Sequence, residues 1–322
     1  MATRTTYDLV FSSPFGSYEY FAHTLRQLCG QLRLNFFLVN DLWVQEFLEK
    51  VNTGQIGAKV LLNFTTTDQV RADDPYTAIA RKLKQQGCHL IDDPDVAVPS
   101  SHKGDFHKIL EEQGVPVPPT IVLKRDEVAQ FQLTEDIKNR VGVPFVVKPA
   151  RGFGGFGVIV DARSEEDVQG CLRECPDADT ILVQKRLTLQ DLGRHKGWFR
   201  MFYICGTVIA CWWDPGSHEY HLVKPSQMEK YNLAPLYSIM QRIADISQMK
   251  KFSSEICLHD DNKLYAVDYM NTCPDMNPRS FYDNGLPDEV VRHIAWLLFY
   301  EAMLRVRQGQ GFFDADLLES DE

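Results

Sequence analysis

The chain has 322 residues, 44% of them hydrophobic and 24% charged, which is enough apolar material for two domains at roughly 150 residues each. With 34 Lys+Arg against 44 Asp+Glu the net charge is −10, a field that repels polyanions and argues against a nucleic-acid partner. No stretch approaches the roughly 20 apolar residues of a membrane helix, the start lacks the apolar core of a signal peptide, and the eight cysteines contain no Cys-x2-Cys pair. Reduced thiols in a cytoplasmic protein without a membrane partner are therefore expected, and a zinc finger is not.

The first hundred residues alternate in type. Asp8–Ser12 reads as a strand, Tyr18–Leu32 as a helix with Phe21, Leu25 and Leu28 at helical spacing, and Leu34–Val39 as a second strand. Lys59–Phe64 and His89–Ile91 are further strands, with a helix near Thr77–Gln86 between them. Such alternation predicts a parallel sheet flanked by helices. Pro94, Pro99 and Ser100-Ser101 mark a connection, a helix follows over His102–Gln113, and the Pro116–Pro119 cluster breaks the chain again.

The grammar then changes. Val143–Pro149 reads as a strand, Arg151–Gly157 as a glycine-rich loop, Val158–Val160 as a strand, Asp167–Arg173 as a helix and Thr180–Gln184 as a strand. After Asp191 come a strand pair around Gly206 (Arg200–Ile204 and Val208–Trp213), a helix over Leu233–Met249, a β-hairpin over Glu255–Asp268 and a helix over Asp288–Arg305. The acidic stretch Gly309–Glu322 is expected to be disordered.

Gly152-Phe-Gly-Gly-Phe-Gly157 matches Gly-x-Gly-x-x-Gly, and context decides what that means. A dinucleotide fold needs a helix immediately afterwards, whereas Val158–Val160 is β-branched; a Walker loop needs a terminal Gly-Lys-Ser/Thr, which is absent. A protein kinase needs its lysine on the following strand and His-Arg-Asp and Asp-Phe-Gly motifs, and the chain has none of these. What remains is Lys148 in the apolar run Phe145–Pro149, requiring an anion or solvent for its ammonium, beside glycines whose backbone N–H groups can approach phosphate oxygens.

The hairpin carries a second constellation. With Asp261-Asn262 as a two-residue turn, Asp260 faces Lys263 and Glu255 faces Asp268. Directly opposed side chains have Cβ atoms about 4.5–5.5 Å apart, where like charges destabilise. A hard divalent cation such as Mg²⁺ between them relieves this; a solvated acidic face neutralised by Lys250, Lys251 or Lys263 is the other reading. Asn271 offers a neutral oxygen if the strand bends or ends just after Asp268, because strict alternation puts it on the opposite face.

Strand–Lys–Pro, a glycine hairpin, Val183-Gln-Lys-Arg-Leu187, an arginine on a later strand and a carboxylate hairpin ending in Asn together resemble the ATP-grasp superfamily, in particular its D-alanine–D-alanine ligase and ribosomal-S6-modification types, over about Ser101–Asn277. The resemblance implies an α/β fold with α+β lobes: an ATP-grasp fold preceded by a Rossmann-like parallel-sheet N-terminal domain. Its divisions are 1–100 (N-terminal domain), 101–190 (central lid subdomain), 191–308 (C-terminal subdomain) and the tail 309–322. It also implies ATP and Mg²⁺ as cofactors, with Mn²⁺ as an alternative ion. Lys103 and Lys148 hold the phosphates in this reading, under a mobile cover containing Gly152, Gly154, Gly155 and Gly157. Backbone groups of Lys185 and Leu187 read the adenine edge with Gln184 near its amino group, where the family often has Glu, and Asp191 takes the ribose. Arg200 faces the transferred phosphoryl group, and Glu255, Asp268 and Asn271 are the metal ligands. The family usually separates its last two ligands by one residue; Asp268 and Asn271 have two between them. Asp275 and Arg279 are candidates for substrate contacts, Arg279 through its bidentate fork.

The implied reaction is an ADP-forming carboxylate–amine ligation through an acyl phosphate, on small-molecule or peptide carboxylates and amines, with a homodimer left open. An inositol-phosphate-type small-molecule kinase and a nucleotide-binding protein without turnover are the alternatives. Trp198, Trp212, Trp213 and Tyr220 are candidates to shape the acceptor pocket.

Overall fold

The computed structural model describes residues 4–13, 18–65, 74–152 and 154–307. The acidic tail and Phe153 of the glycine loop lie outside the described residues.

The N-terminal part is a doubly wound α/β layer. It runs β1 (Thr5–Ser12), α1 (Glu19–Gln31), β2 (Phe36–Val39), α2 (Val44–Asn52), β3 (Ile56–Asn63), α3 (Pro75–Gln85), β4 (His89–Ile91) and α4 (Pro94–Ser101). The four strands are parallel in the order β2-β1-β3-β4. Strand alternation splits β1 between two cores: Leu9 and Phe11 pack with Phe21 and Leu25 of α1, and Val10 packs with Phe47 of α2 and Ile79 of α3. Helix α2 adds to the expected elements, and its Val44, Phe47 and Val51 stripe is legible at helical spacing. Helix α4 corrects the expected connection at Pro94–Ser101. Pro94 sits in the first turn, where a missing N–H costs nothing, and Asp93 caps the helix by accepting from the Asp95 N–H at 3.0 Å.

The central part contains α5 (Lys103–Glu112), β5 (Thr120–Lys124), α6 (Arg125–Val128), α7 (Glu135–Val141), β6 (Phe145–Pro149), β7 (Ile159–Ala162), α8 (Glu165–Glu174) and β8 (Thr180–Lys185). Its sheet has the order β5-β8-β6-β7 with antiparallel neighbours. Strand β5, directly after the proline cluster, was not among the expected elements. Helix α8 starts two residues earlier than expected, because Ser164 and Asp167 form a capping box. One sheet face (Ile121, Leu123, Phe145, Val147, Ile181, Val183) packs on Val128, Val141 and Val168. Alternation turns Thr120, Lys148 and Gln184 to the other face, which is why this polar set lies together.

The C-terminal part comprises β9 (Asp191–Leu192), β10 (His195–Lys196), β11 (Trp198–Ile204), β12 (Thr207–Asp214), β13 (Glu219–Leu222), α9 (Pro225–Lys230), α10 (Pro235–Ser247), β14 (Lys251–Leu258), β15 (Leu264–Asn271) and α11 (Asp288–Arg307). Five antiparallel strands are ordered β13-β12-β11-β14-β15. Phe199, Met201, Ile256 and Ala266 pack with Ile239 and Ile243 of α10. Phe202 and Ile204 face the other way, into a core shared with α11 and the N-terminal sheet. A buried ion pair joins the same layers: Lys251 Nζ lies 3.3 Å from Asp92 Oδ2, both side chains fully enclosed. Asp92 also accepts from the Lys250 N–H at 2.9 Å. No helix among the described residues is long and apolar enough to cross a membrane.

Candidate active site

Arg200 shares the face of Phe202 and Ile204, one pair further along β11. Glu255 is its direct partner on β14. The two form a buried ion pair through Arg200 Nη1 and Glu255 Oε1, and Trp198 Nε1 donates to Glu255 Oε2 at 3.0 Å. Trp198 is thus a carboxylate-orienting donor, and Trp212, an expected pocket residue, belongs to the α10 core.

The structure pairs Glu255 with Asp268, by a different route from the one expected. Near the turn the register is Leu258↔Leu264 and Ile256↔Ala266, so the loop is longer than two residues. A β-bulge then inserts Val267, and Glu255 meets Asp268. Without the bulge, Asp268 would share a face with Leu264 and Ala266 and point into the α10 core. A second irregularity pairs Ser253 with Asn271. That returns Asn271 to the Glu255 face within a continuous strand, so the expected bend or strand end is replaced by an extra residue. It also accounts for the spacing of two between Asp268 and Asn271. Asn271 Oδ1 accepts from the Cys273 N–H at 3.1 Å.

Two lysines close on these carboxylates from the central part. Lys148 Nζ donates to the carbonyl of Val267 at 2.7 Å and to Gln184 Oε1 at 2.9 Å, so the bulge that reorients Asp268 also supplies an acceptor to Lys148. Lys103, in the first turn of α5, donates to the Gly152 carbonyl at 2.9 Å and lies 3.6 Å from Asp268 Oδ1. That oxygen is buried and makes no hydrogen bond, as is true of Ser253 Oγ and Arg200 Nε nearby.

The charges are balanced unequally. Burial pushes Glu255 above the ordinary carboxylate range; Arg200 opposes this and the Asp268 charge adds to it. Burial would raise Asp268 too, but Lys103, Lys148 and Arg200 together hold it below its usual value. Burial lowers Lys148 to about 8, with Asp268 opposing and Lys103 adding to the shift. One firm anion thus stands beside a carboxylate that is easier to protonate. An orphaned carboxylate oxygen next to a second carboxylate suits a hard, oxygen-seeking divalent cation. Among the described residues no three His, Cys, Asp or Glu side chains gather into a metal cage.

The remaining expected residues are placed less uniformly. Gly152, Gly154, Gly155 and Gly157 all have positive φ. At Gly157 a Cβ would lie 2.1 Å from Cys175 Sγ, so any side chain there would displace that thiol as well as strain the backbone. Gln184 is buried with its amide used inside the protein: besides accepting from Lys148, its Nε2 donates to Thr120 Oγ1 at 2.9 Å and Tyr269 Oη at 3.0 Å. Its amide N–H donors are thus used inside the protein, and Oε1 accepts from Lys148. The Lys185 N–H donates to the Pro119 carbonyl at 2.8 Å, so that amide is already committed and does not serve a base edge. Leu187 follows the end of β8, outside the strand. Asp191 is exposed and paired with Lys196 on the β9–β10 hairpin. Arg279 donates through Nη2 to the Tyr220 carbonyl, and Asp275 caps the Asn277 N–H at 3.1 Å; neither joins the carboxylate–lysine group. Thr120, Val267 and Tyr269 belong to the site without having been expected, because their role comes from register and not from residue type.

No protein-family model and no curated protein sequence matches the chain. Solved structures do. The ATP-grasp ligase PsnB, complexed with a minimal precursor, Mg and ADP, superposes with a TM-score of 0.61 at 14% identity, covering 94% of this chain and 99% of that one. D-alanine–D-alanine ligase from Bacillus anthracis, complexed with ATP, gives 0.62 at 14% identity over 94% and 99%. An ATP-grasp RimK domain protein from Sphaerobacter thermophilus gives 0.60 at 13% identity over 91% and 98%. The chain has the ATP-grasp fold, with the parallel-sheet N-terminal layer in front of it.

Proposed function

We propose that this chain is an ATP-dependent, ADP-forming ligase that activates a substrate carboxylate as an acyl phosphate and transfers the acyl group to an amine with release of phosphate. The observation that carries the reading is the meeting of Glu255 and Asp268 with Lys103, Lys148 and Arg200 between the central and C-terminal sheets. In this reading Lys103 and Lys148 bind the phosphates of ATP, and the glycine hairpin limits water access. Glu255, Asp268 and Asn271 would hold Mg²⁺, which would supply positive charge to the phosphoryl oxygens. Arg200 stabilises charge developing on the transferred group. Leu187 and the carbonyl of Lys185 remain for the adenine edge. A ligase of this fold complexed with a precursor peptide supports a peptide acceptor, and one named for D-alanine supports a small-molecule acceptor.

The test is product analysis. With ATP, Mg²⁺ and a panel of amino acids, peptides and organic acids, ADP and free phosphate should appear only when acceptor and amine are both present. A phosphorylated acceptor with no free phosphate would mean a kinase, and no ADP with any acceptor would mean binding alone.

Nucleotide binding should also depend on pH. Lys148 has a folded-state value of about 8 in the free protein, and a phosphate favours its ammonium form. Affinity is then fully present below that value and is lost as pH rises through it, approaching tenfold per pH unit before the bound-state value is reached. Calorimetric titration with a non-hydrolysable ATP analogue between about pH 7 and about pH 9 measures this. A flat profile would take Lys148 off the nucleotide.

A further inference from the structure

One buried histidine has no part in the chemistry above. His107 lies one helical turn after Lys103 on α5 and is almost fully enclosed. Its Nδ1 is 2.7 Å from Tyr269 Oη. Tyr269 in turn accepts from Gln184 Nε2 at 3.0 Å, and Gln184 Oε1 accepts from Lys148 Nζ at 2.9 Å.

The chemistry of the four groups fixes the direction of this chain. An ammonium has only donors, so the amide must present its oxygen to Lys148. The amide nitrogen then donates to Tyr269 and to Thr120 Oγ1. Thr120 is itself turned as a donor to the Pro118 carbonyl at 2.8 Å. The Tyr269 hydroxyl, having accepted from Gln184, has its own proton to place, and His107 Nδ1 stands at the shortest distance in the chain. His107 must then be neutral with its proton on Nε2, an atom that is buried and makes no hydrogen bond. Burial and the positive charges of Lys148, Arg140 and Lys108 keep the imidazole neutral, with a value lowered to about 4.

We propose that His107 is a positioning residue for Lys148: its bare Nδ1 takes the Tyr269 proton, anchors the far end of the Tyr269–Gln184 chain, and so reinforces the amide polarity that the Lys148 ammonium and Thr120 impose. Without that acceptor the Tyr269 hydroxyl turns elsewhere, its hold on Gln184 Nε2 weakens, and the amide oxygen is less firmly placed against Lys148. The consequence for nucleotide rests on the phosphate-binding reading of Lys148; the hydrogen-bond chain itself does not. His107 and Lys103 sit on the face of α5 that packs on β15. One helix thereby registers both lysines against the Asp268–Tyr269 step.

The wild-type, nucleotide-free protein with ¹⁵N-labelled imidazoles gives the first test. Long-range ¹H–¹⁵N spectra at neutral pH should show His107 as the Nε2–H tautomer, and an Nδ1–H tautomer or an imidazolium would overturn the proposal. The second test is a mutant cycle. His107→Leu should weaken binding of a non-hydrolysable ATP analogue with Mg²⁺ about tenfold, the scale of one lost positioning hydrogen bond. His107→Asn, whose Oδ1 stands in for Nδ1, should restore most of it, and His107→Leu should add nothing in a Tyr269→Phe background. Additive losses, or equal losses in the Leu and Asn variants, would make His107 a packing residue only. Competitive acylation of Lys148, read by mass spectrometry without nucleotide, should rise several-fold in His107→Leu and not in His107→Asn. An unchanged rate in His107→Leu also counts against the proposal. This arm stands even if the protein binds no ATP, which would defeat the functional reading alone.

Discussion

Lys148→Ala should lower ATP-dependent turnover by on the order of a thousandfold and raise the nucleotide Kd at least a hundredfold, because it removes a charge-assisted contact to phosphate from a partly desolvated site. The fold should persist. Lys148 is held by a backbone carbonyl and an amide, Val267 and Gln184, and burial already disfavours its charge. Loss of the ammonium removes one of the three cations that hold Asp268 ionised, and Lys103 and Arg200 remain. Calorimetry with an ATP analogue, alongside a thermal melt, separates the two effects. An unchanged Kd with an unchanged melt would remove this lysine from the nucleotide site and with it the basis of the proposed reaction.

Glu255→Gln tests the opposite charge. The substitution is isosteric and leaves the Trp198 indole an acceptor, but it deprives the buried Arg200 guanidinium of its ion-pair partner. Stability should fall by roughly 3 kcal/mol, the low end of the cost of breaking a buried pair, since the Asp268 charge also stabilises the Arg200 cation. Half of the carboxylate pair disappears at the same time. The Mg²⁺ concentration needed for half-maximal nucleotide binding should rise on the order of a hundredfold. Mg²⁺ titrations at fixed nucleotide provide the measurement, and a superimposable titration for the variant would show that the hairpin carboxylates hold no metal.

Lys148 and Arg200 illustrate two ways in which a site residue announces itself. A lysine inside Phe145-Val-Val-Lys-Pro149 conflicts with its apolar neighbours along the chain, and that conflict alone asks for an anion. Arg200 lies in a run just as apolar, Trp198–Ile204, but only the order of neighbouring motifs gives it a role. The glycine loop was legible because the β-branched run after it excluded the helix that dinucleotide binding requires. The alternating strands and helices of the first hundred residues were legible for the same reason: period and turn chemistry are local properties.

Pairing and burial are not local. The Glu255–Asp268 pair follows from a simple two-residue hairpin only by coincidence, since the longer loop and the Val267 bulge offset each other. Nothing in Leu264–Asn271 marks Val267 as the extra residue. Its position follows from the packing of Ala266 on α10 and the attraction of Asp268 to the lysines, both set by distant segments. Gln184 shows the limit most clearly. Its place in the chain suggested a base contact, but nothing local shows that Tyr269 and Thr120 from two other strands take both of its N–H donors.

The amino-acid sequence by itself determined the layer types, the glycine hairpin and the charged residues available to a phosphate and a cation, because each depends on neighbours a few positions away. Tertiary structure alone decided which face Asp268 and Asn271 occupy, what Gln184 and His107 bond, and how far each charge is shifted. Those depend on strand register and desolvation, which arise only when the central and C-terminal sheets close on one another.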